Sequence, residues 1–327
     1  MQPFSFSQAH NQDDALVQLR GSGAVAIAGG TTLVDLMKLD VQSPAHLVDI
    51  NSVPLSRIES LPDGGLRIGA MVRNSDLAHN ETVMKLYPVL SQALLSGASA
   101  QLRNMATTGG NLMQRTRCYY FRDPAYATCN KRTPGSGCAA LEGFNRIHAV
   151  LGGSDHCVAT HPSDMAVAFV ALDAVVHITG PQGERRVPIE EFHKLPGATP
   201  QIETALQNGE LITYVTLPKS SFGQRSAYVK LRDRASYEFA LASAAAAVDL
   251  NGNTIRAARL ALGGVATKPW RSHEAEKVLT GAPANSYTFR AAAEAALKSA
   301  KPLRHNAFKI ELAKMAIVRA LTQTVQT

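Results

Sequence analysis

Four cysteines are the residues of this chain whose type and clustering most directly indicate chemistry. They lie in the pattern C-x10-C-x8-C-x18-C and are Cys118, Cys129, Cys138 and Cys157. No pair has the two-residue separation of a zinc ribbon, and the spacing differs from those of common ferredoxins. The chain has no other cysteine, and four thiolates are the usual ligands of a [4Fe–4S] cluster. Spacing alone leaves two disulfides in an oxidising compartment, or four unrelated thiols, as alternatives.

Two glycine-centred turns are candidates for binding an anionic group. They are residues 28–32 (Ala-Gly-Gly-Thr-Thr) and 107–111 (Thr-Thr-Gly-Gly-Asn). Glycine lets the backbone approach a ligand, and successive N–H groups with threonine hydroxyls can hold a pyrophosphate. Either turn could be purely structural, but two together favour anion binding. Gly21, Gly23 and Ala26 match a dinucleotide fingerprint formally, yet they precede a predicted strand, which excludes that interpretation.

The charge of the chain gives little support for nucleic-acid binding. The net charge is +7, but the charges are scattered and no basic stripe alternates with aromatic residues. The densest basic group lies among the cysteines, where a partner surface or an anionic cofactor explains it better than DNA. Its members are Arg115, Arg117, Arg122, Lys131 and Arg132.

The length and composition predict two or three globular domains. The chain has 327 residues, of which 45% are hydrophobic and 18% charged. No apolar run approaches the ~20 residues that span a membrane, and the first residues lack the pattern of a secretory signal. We therefore expect a cytoplasmic protein, or one exported to the periplasm with a signal-bearing partner.

The elements that must position these residues form a mixed α+β pattern. Strands are predicted at residues 25–28, 46–50, 66–72, 174–179, 186–189, 211–217, 227–232, 241–250 and 254–265. Helices are predicted at residues 33–39, 81–96 with a possible kink at Pro88, 164–172, 272–280, 289–300 and 307–322. Residues 114–157 have no periodicity, and so long an irregular run needs a cause such as metal ligation. The polar linker at residues 219–224 indicates a domain boundary.

Several segments together resemble the FAD-binding medium subunits of the xanthine dehydrogenase, or molybdenum hydroxylase, family. They are AGGTTLVD at 28–35, HLVDI at 46–50, LRIGA at 66–70, ATTGGNL at 106–112, HPSD at 161–164, KLRDRASYEFALASAA at 230–245 and LALGGVATKPWR at 260–271. The resemblance covers nearly the whole chain and is greatest to the FAD subunits of bacterial periplasmic aldehyde oxidoreductases.

This resemblance implies a fold and a domain organisation. Residues 1–220 would form an α+β FAD-binding domain with two subdomains, of the vanillyl-alcohol-oxidase-like type. A cysteine-bearing insert would occupy about residues 114–158 of that domain. Residues 221–327 would form a smaller α+β domain that covers the flavin.

The resemblance also implies cofactor-binding residues. Residues 28–33 would surround the FAD pyrophosphate, namely Ala28, Gly29, Gly30, Thr31, Thr32 and Leu33, and Thr108, Gly110 and Asn111 would complete this contact. Asp164 would bind ribityl or ribose hydroxyls, and Lys230 would lie near the isoalloxazine ring. From the residues alone, Asp164 could instead cap a helix and Lys230 could be a surface lysine.

The cysteine insert has a precedent within the same family. Ordinary xanthine dehydrogenase-type flavin subunits lack it, whereas periplasmic aldehyde oxidoreductase and 4-hydroxybenzoyl-CoA reductase hold a [4Fe–4S] cluster in such a loop. By this resemblance the four cysteines would be the ligands of one [4Fe–4S] cluster.

The implied function is electron transfer within an oxidoreductase heterotrimer. A small subunit with two [2Fe–2S] clusters would supply electrons taken from an aldehyde by a large molybdenum-cofactor subunit, and FAD would deliver them to an external acceptor. One alternative is a self-contained FAD-dependent oxidase or reductase with its own small organic substrate. Another is a structural or nucleic-acid-binding protein that is stabilised by a bound metal and contains no flavin.

Overall fold

The structure, a computed structural model, describes residues 1–222 and 224–326. These residues form three β-sheets with helices packed against them, which is the α+β class that the sequence predicts. Within the described ranges, no helix combines the length and apolar character that crossing a membrane requires.

The first sheet is small and parallel, and it leads into the first glycine turn. Its strand order is β1-β3-β2. Its elements are β1 (Ser5–Gln8), α1 (Gln12–Leu19), β2 (Ala24–Ile27), α2 (Leu33–Lys38) and β3 (His46–Asp49). The apolar segment that forms β2 ends at Ile27, so the turn at residues 28–32 connects this strand to α2. Gly21 and Gly23 precede β2. A dinucleotide fingerprint follows its strand, so these glycines do not form one.

The second sheet is antiparallel and combines strands from both sides of the cysteine-bearing segment. Its strand order is β4-β5-β8-β6-β7. The strands are β4 (Ile58–Ser60), β5 (Leu66–Gly69), β6 (Val175–Gly180), β7 (Gly183–Pro188) and β8 (Leu211–Leu217). Because β5 and β6 both pair with β8, the residues between them, including the cysteines, leave and re-enter one continuous sheet.

Short helices connect or flank the strands of this sheet. They are α3 (Asn74–Ala78), α4 (Glu81–Leu86), α5 (Pro88–Ser96), α6 (Ala100–Met105), α7 (Thr108–Leu112), α8 (Tyr119–Arg122), α9 (Asp164–Ala171) and α10 (Ile189–Phe192). All residues of α9 are buried, and it packs against α5, the second sheet's neighbouring helices and the C-terminal strands. A helix that is apolar on every side is stable only inside a core.

The helix predicted over residues 81–96, with a possible kink at Pro88, is interrupted there and forms two helices. Pro88 is the first residue of α5, and α4 ends at Leu86. Proline lacks an N–H group and restricts the preceding residue, so it favours the first position of a helix over the interior. Tyr87 accordingly has a non-helical backbone conformation.

The C-terminal region folds as a four-stranded antiparallel sheet covered by helices. Its strand order is β12-β11-β10-β9. The elements are β9 (Ser226–Leu231), β10 (Ala242–Asn251), β11 (Thr254–Gly263), β12 (Trp270–Arg271), α11 (His273–Leu279), α12 (Ser286–Leu297) and α13 (Phe308–Gln326). Ala244 and Ala246 of β10 pack in the core beneath these helices, whereas Ala245 belongs to the core around α9. Small side chains on alternate faces of β10 therefore let both domains pack closely on one strand.

One of the two loop predictions needs correction, and the other is confirmed with small exceptions. Residues 107–111 do not form an isolated turn, because Thr107 is the N-cap of the one-turn helix α7. The cysteine-bearing segment is irregular as predicted, apart from the single turn of α8 and isolated pairings such as that between Cys129 and Cys138.

Candidate functional site

A cleft of about 550 Å³ separates the first glycine turn from the chain that enters β8. Residues 24–33 line one side of it, residues 206–212 line another, and residues 113–116 also contribute. This volume lies in the range of clefts that bind organic cofactors and similar ligands.

The first glycine turn has a backbone that only glycine permits at two positions. Gly30 has a φ of +68°, a left-handed conformation that glycine adopts without strain. A Cβ added to Gly29 would lie 2.0 Å from the carbonyl oxygen of Met105, at the end of α6. Within the described part of the chain, the N–H groups of residues 31–33 donate to no acceptor. Consecutive free N–H groups beside a cleft are suited to an anionic oxygen.

All six residues predicted around the pyrophosphate line this cleft: Ala28, Gly29, Gly30, Thr31, Thr32 and Leu33. The structure thus places the complete first glycine motif in one wall of the cleft. The sequence had indicated this group only because its residues are consecutive and resemble a family motif.

The second glycine motif contributes differently from its prediction. Gly110 lines the cleft, while Thr108 and Asn111 are not among its lining residues. Thr108 is fully buried, and its hydroxyl donates to a backbone carbonyl at 3.1 Å. The amide oxygen of Asn111 accepts a hydrogen bond from the Ser163 hydroxyl at 2.6 Å. These contacts give Thr108 and Asn111 a supporting position behind the cleft wall.

Asp164 and Lys230 are brought together as a buried ion pair. The Lys230 Nζ lies 2.8 Å from Asp164 Oδ2, and the two side chains are 3% and 9% exposed. The Tyr228 hydroxyl donates to the other carboxylate oxygen at 2.6 Å, and burial together with the Asp164 charge raises the pKa of Tyr228. Lys230 is therefore not a surface lysine. Asp164 is not the helix cap either, because the hydroxyl of Ser163 caps α9.

Two histidines in the wall of the cleft were missed at the sequence level. The rings of His161 and His193 lie 4.3 Å apart, and both residues line the cleft. His193 Nε2 donates to the carbonyl of Leu112 at 3.0 Å. Burial lowers the pKa of His193 to about 4 and that of His161 well below its ordinary value. The HPSD segment contained the only signal for His161, whereas His193 lies in an unremarkable stretch of sequence.

Basic residues of the cysteine-bearing segment also reach the cleft. Arg115 and Lys131 line it, and both form ion pairs with Glu203. The basic group identified in the sequence therefore faces, in part, the space in which an anionic cofactor would bind.

The four cysteines converge behind this cleft. They share one apolar cluster and line one small cavity, together with Tyr120 and Phe121. All four are free thiols, so the structure contains neither of the two disulfides considered as an alternative. Burial raises the pKa of Cys118 to about 12 and that of Cys157 to about 11. Among the described residues, no three His, Cys, Asp or Glu side chains are grouped closely enough for a single metal ion.

His148 contacts one of these sulfurs directly. Its Nε2 lies 3.1 Å from Cys118 Sγ, and burial together with the nearby Lys309 charge lowers the pKa of His148 to about 4. A thiolate bound to iron carries no proton, so in that state the imidazole N–H would donate to the sulfur.

The C-terminal region fixes the end of the cysteine-bearing segment. Asn306 donates to the carbonyls of His148 and Ala149, and Lys309 donates to the carbonyls of Ile147 and His148 at 3.0 Å. Lys309 is fully buried, and its bonds to backbone carbonyls satisfy its donors. We call these two side chains the C-terminal clamp.

Comparisons with known proteins agree with this architecture. Residues 2–220 match the family model described as the FAD binding domain in molybdopterin dehydrogenase. Residues 226–324 match the model described as the CO dehydrogenase flavoprotein C-terminal domain. The chain therefore belongs to the family of FAD-binding medium subunits of molybdenum hydroxylases, and it is the flavoprotein component of an oxidoreductase of that type.

Individual relatives show the extent of the similarity. The chain is 51% identical to the aldehyde oxidoreductase FAD-binding subunit PaoB of Escherichia coli K12, over 99% of this chain and 98% of the relative. It is 30% identical to the glyceraldehyde dehydrogenase medium chain of Sulfolobus acidocaldarius, over 86% and 83% of the two chains. The structure of carbon monoxide dehydrogenase from Hydrogenophaga pseudoflava superimposes with a TM-score of 0.77 at 26% identity, covering 99% of this chain and 97% of that one. The resemblance recognised in the sequence is thereby confirmed, as is the predicted fold.

Proposed function

We propose that this chain is the electron-transfer subunit of a molybdenum-containing aldehyde oxidoreductase. The observation that carries the proposal is the cleft formed by both glycine motifs in a chain whose two regions match flavoprotein families. The 51% identity to an aldehyde oxidoreductase subunit over 99% of the chain favours aldehydes as the substrate class of the complex.

The volume and the donors of the cleft are suited to FAD. Residues 28–33 would surround the pyrophosphate with the free N–H groups of residues 31–33, Gly110 would leave room for it, and Arg115 and Lys131 would supply positive charge. Bound FAD would supply the exchange between one-electron and two-electron transfer. Neither Asp164 nor Lys230 is among the lining residues of the cleft, so the proposal that they lie near the ribityl chain and the ring rests on the family resemblance.

The cysteine cavity fits a [4Fe–4S] cluster better than a single metal ion. Four thiols from one segment meet in a buried, mostly apolar space next to basic side chains. In such a cluster each cysteine binds a different iron atom, so the sulfurs stand farther apart than the ligands of one ion. Such a cluster would therefore agree with cysteines that share a cavity without forming a compact single-ion ligand set among the described residues.

The proposed assembly contains two further subunits. A small subunit with two [2Fe–2S] clusters would deliver electrons, and a large subunit with the molybdenum cofactor would oxidise the aldehyde. The complex would reside in the periplasm through export with a signal-bearing partner, or in the cytoplasm. The domain boundary at residues 220/221 remains part of the same proposal.

The decisive experiment is anaerobic purification of the chain, alone and with the two partner subunits. We expect released FAD, about four irons with matching acid-labile sulfide per chain, and aldehyde-dependent reduction of an artificial acceptor only by the complex. Aldehyde oxidation by the isolated chain would favour a self-contained flavoenzyme and overturn the subunit assignment. Flavin without iron or sulfide would overturn the cluster and leave the flavoprotein assignment intact.

A further inference from the structure

The FAD cleft and the cysteine cavity share part of one wall. Lys131 and Ala159 line both spaces. Ala159 also donates its N–H toward Cys157 Sγ at 3.5 Å. The two sites are therefore separated by single residues rather than by a layer of core.

Lys131 is the charged member of this shared wall. Its side chain is 10% exposed, and its Nζ lies 2.5 Å from Glu203 Oε1 and 3.0 Å from the carbonyl of Pro200. These two bonds hold the ammonium group in one place, and Glu203 also lines the cleft. A fixed, poorly hydrated charge acts over several ångströms more strongly than an exposed one.

Lys131 lies beside groups on both sides of the wall. It lines the cysteine cavity together with Cys129 and Cys157, and it lines the cleft together with His161. In the cleft, burial lowers the pKa of His161, and the charges of His193 and Lys131 add to this effect.

We propose that Lys131 is a positioning residue shared by the two cofactor sites, whose fixed charge favours the reduced, more negative state of both cofactors. The inference rests on the proposed function, because it presupposes FAD in the cleft and a cluster on the cysteines. It adds a physical link between them. The segment that binds the cluster also sets the electrostatic environment of the flavin, so a change at this one residue alters both sites together.

The test uses the complex purified anaerobically and compares Lys131→Gln, Lys131→Arg and Glu203→Gln with the wild type. The midpoint potential of the cluster is measured by EPR-monitored titration, and that of FAD by absorbance. Lys131→Gln should shift both potentials to more negative values, because it removes the cation. Lys131→Arg keeps the charge and should leave both nearly unchanged. Glu203→Gln removes the counter-charge of Lys131 and should shift both to more positive values.

Lys194→Gln is the matched control, since Lys194 is an exposed lysine that lines the cleft but not the cysteine cavity. It should leave the cluster potential unchanged. A Lys131→Gln complex in which neither potential moves, or only one, would overturn the inference. If the Lys131→Gln variant fails to retain iron, the Glu203→Gln variant provides the test. Positive shifts of both midpoint potentials would support the inference, and negative or absent shifts would overturn it. A wild type without iron would overturn the proposed cluster itself, which chemical analysis distinguishes from unmoved potentials in a fully loaded protein.

Discussion

At the scale of single residues, the candidate site depends on places where the backbone leaves no room for a side chain. Gly29 is the clearest case, because the carbonyl of Met105 occupies the position of its missing Cβ. This close approach joins the first glycine turn to α6, just before the second motif. The two motifs line one cleft because their backbones are nearly in contact.

Gly29→Ala should therefore lose FAD. The added methyl must push the two backbones apart, and the free N–H groups of residues 31–33 would move with them. We expect at least a tenfold fall in FAD affinity, which corresponds to about 1.4 kcal/mol. The measurement is flavin content after extensive dialysis, together with an FAD titration of the stripped protein.

Gly21→Ala is the control for this substitution. Gly21 belongs to the rejected dinucleotide fingerprint, and its added Cβ would meet its nearest neighbours at 3.3 and 3.7 Å. FAD binding should be unaffected. Equal loss of flavin from both variants would show that the first turn has no special role.

Lys309 leads to a prediction about pH. Burial, with repulsion from Arg146, lowers its pKa from 10.5 to about 7, and His148 is the other titratable side chain affected by its charge. Between about pH 7 and pH 10.5, Lys309 therefore holds its proton in the unfolded chain but has released it in the folded chain. The contribution of Lys309 to stability therefore rises as the pH increases from about 7 to about 10.5.

Lys309→Met removes this contribution and the clamp bonds. The variant should be less stable than the wild type, and the difference should widen between pH 7 and about pH 9.5. Denaturation midpoints of both proteins at the two pH values provide the measurement. A difference that stays constant with pH would mean that Lys309 keeps its ordinary pKa in the folded protein.

At the scale of elements, the start of α9 connects the second glycine motif to the core. Ser163 is 2% exposed. Its hydroxyl accepts from the Ala166 N–H at 2.9 Å and donates to Asn111 at 2.6 Å. The Ser163 side chain thus caps α9 at the end of the cysteine-bearing segment, and it also bonds Asn111 of the second glycine motif.

Ser163→Ala should destabilise the protein by about 1–2 kcal/mol, since it removes a cap and leaves Asn111 short of a partner. Ser99→Ala is a matched comparison. Ser99 caps α6 through one longer bond of 3.3 Å at a less buried site, so its loss should cost less. Thermal midpoints of the two variants in the FAD-loaded protein test the ranking, and an inverted order would contradict it.

Sequence patterns predicted most of the longer elements because their periodicity is set locally. The segment at residues 211–217 and the hairpin around Gly252 have clear strand patterns, and both are confirmed. β1 and α1 were missed, since the short segment before residue 20 has mixed polarity and is stabilised by pairing with β3. The six residues of the first glycine motif line one cleft, and their contact with FAD stays a prediction. His161, His193 and Glu203 were not predicted, because they meet the cleft only through tertiary packing.

At the scale of the whole molecule, the two regions share a core and cannot be treated as independent modules. Tyr228, Ala245 and Ala261 of the C-terminal region belong to the same apolar cluster as α9 and the second sheet. The ion pair between Asp164 and Lys230 crosses the same boundary, and Lys230 also donates to the Ser96 carbonyl at 3.1 Å. The relative position of the two regions is therefore fixed by apolar packing and by a buried charge pair.

Lys230→Met should cost about 3–5 kcal/mol, because it leaves the Asp164 carboxylate buried without its cation. Arg256→Met is the control, since Arg256 is 68% exposed in its pair with Asp249, and its loss should cost no more than about 1 kcal/mol. Thermal unfolding gives the stability of both variants. Flavin content of Lys230→Met, measured at a temperature where it remains folded, tests the proposed place of Lys230 beside FAD. Equal stability of the two variants would show that the buried pair contributes little.

The C-terminal clamp also has a consequence for biosynthesis. Asn306 bonds the carbonyl of His148 across 158 residues of sequence, so the cysteine-bearing segment cannot take its final form while the intervening chain is still being made. During synthesis the four cysteines leave the ribosome well before the C-terminal clamp, which is Asn306 and Lys309. The nascent chain must therefore pass through a period in which its four thiols are exposed and unclamped. Insertion of the proposed cluster would then follow synthesis, once Asn306 and Lys309 have reached the carbonyls of residues 147–149.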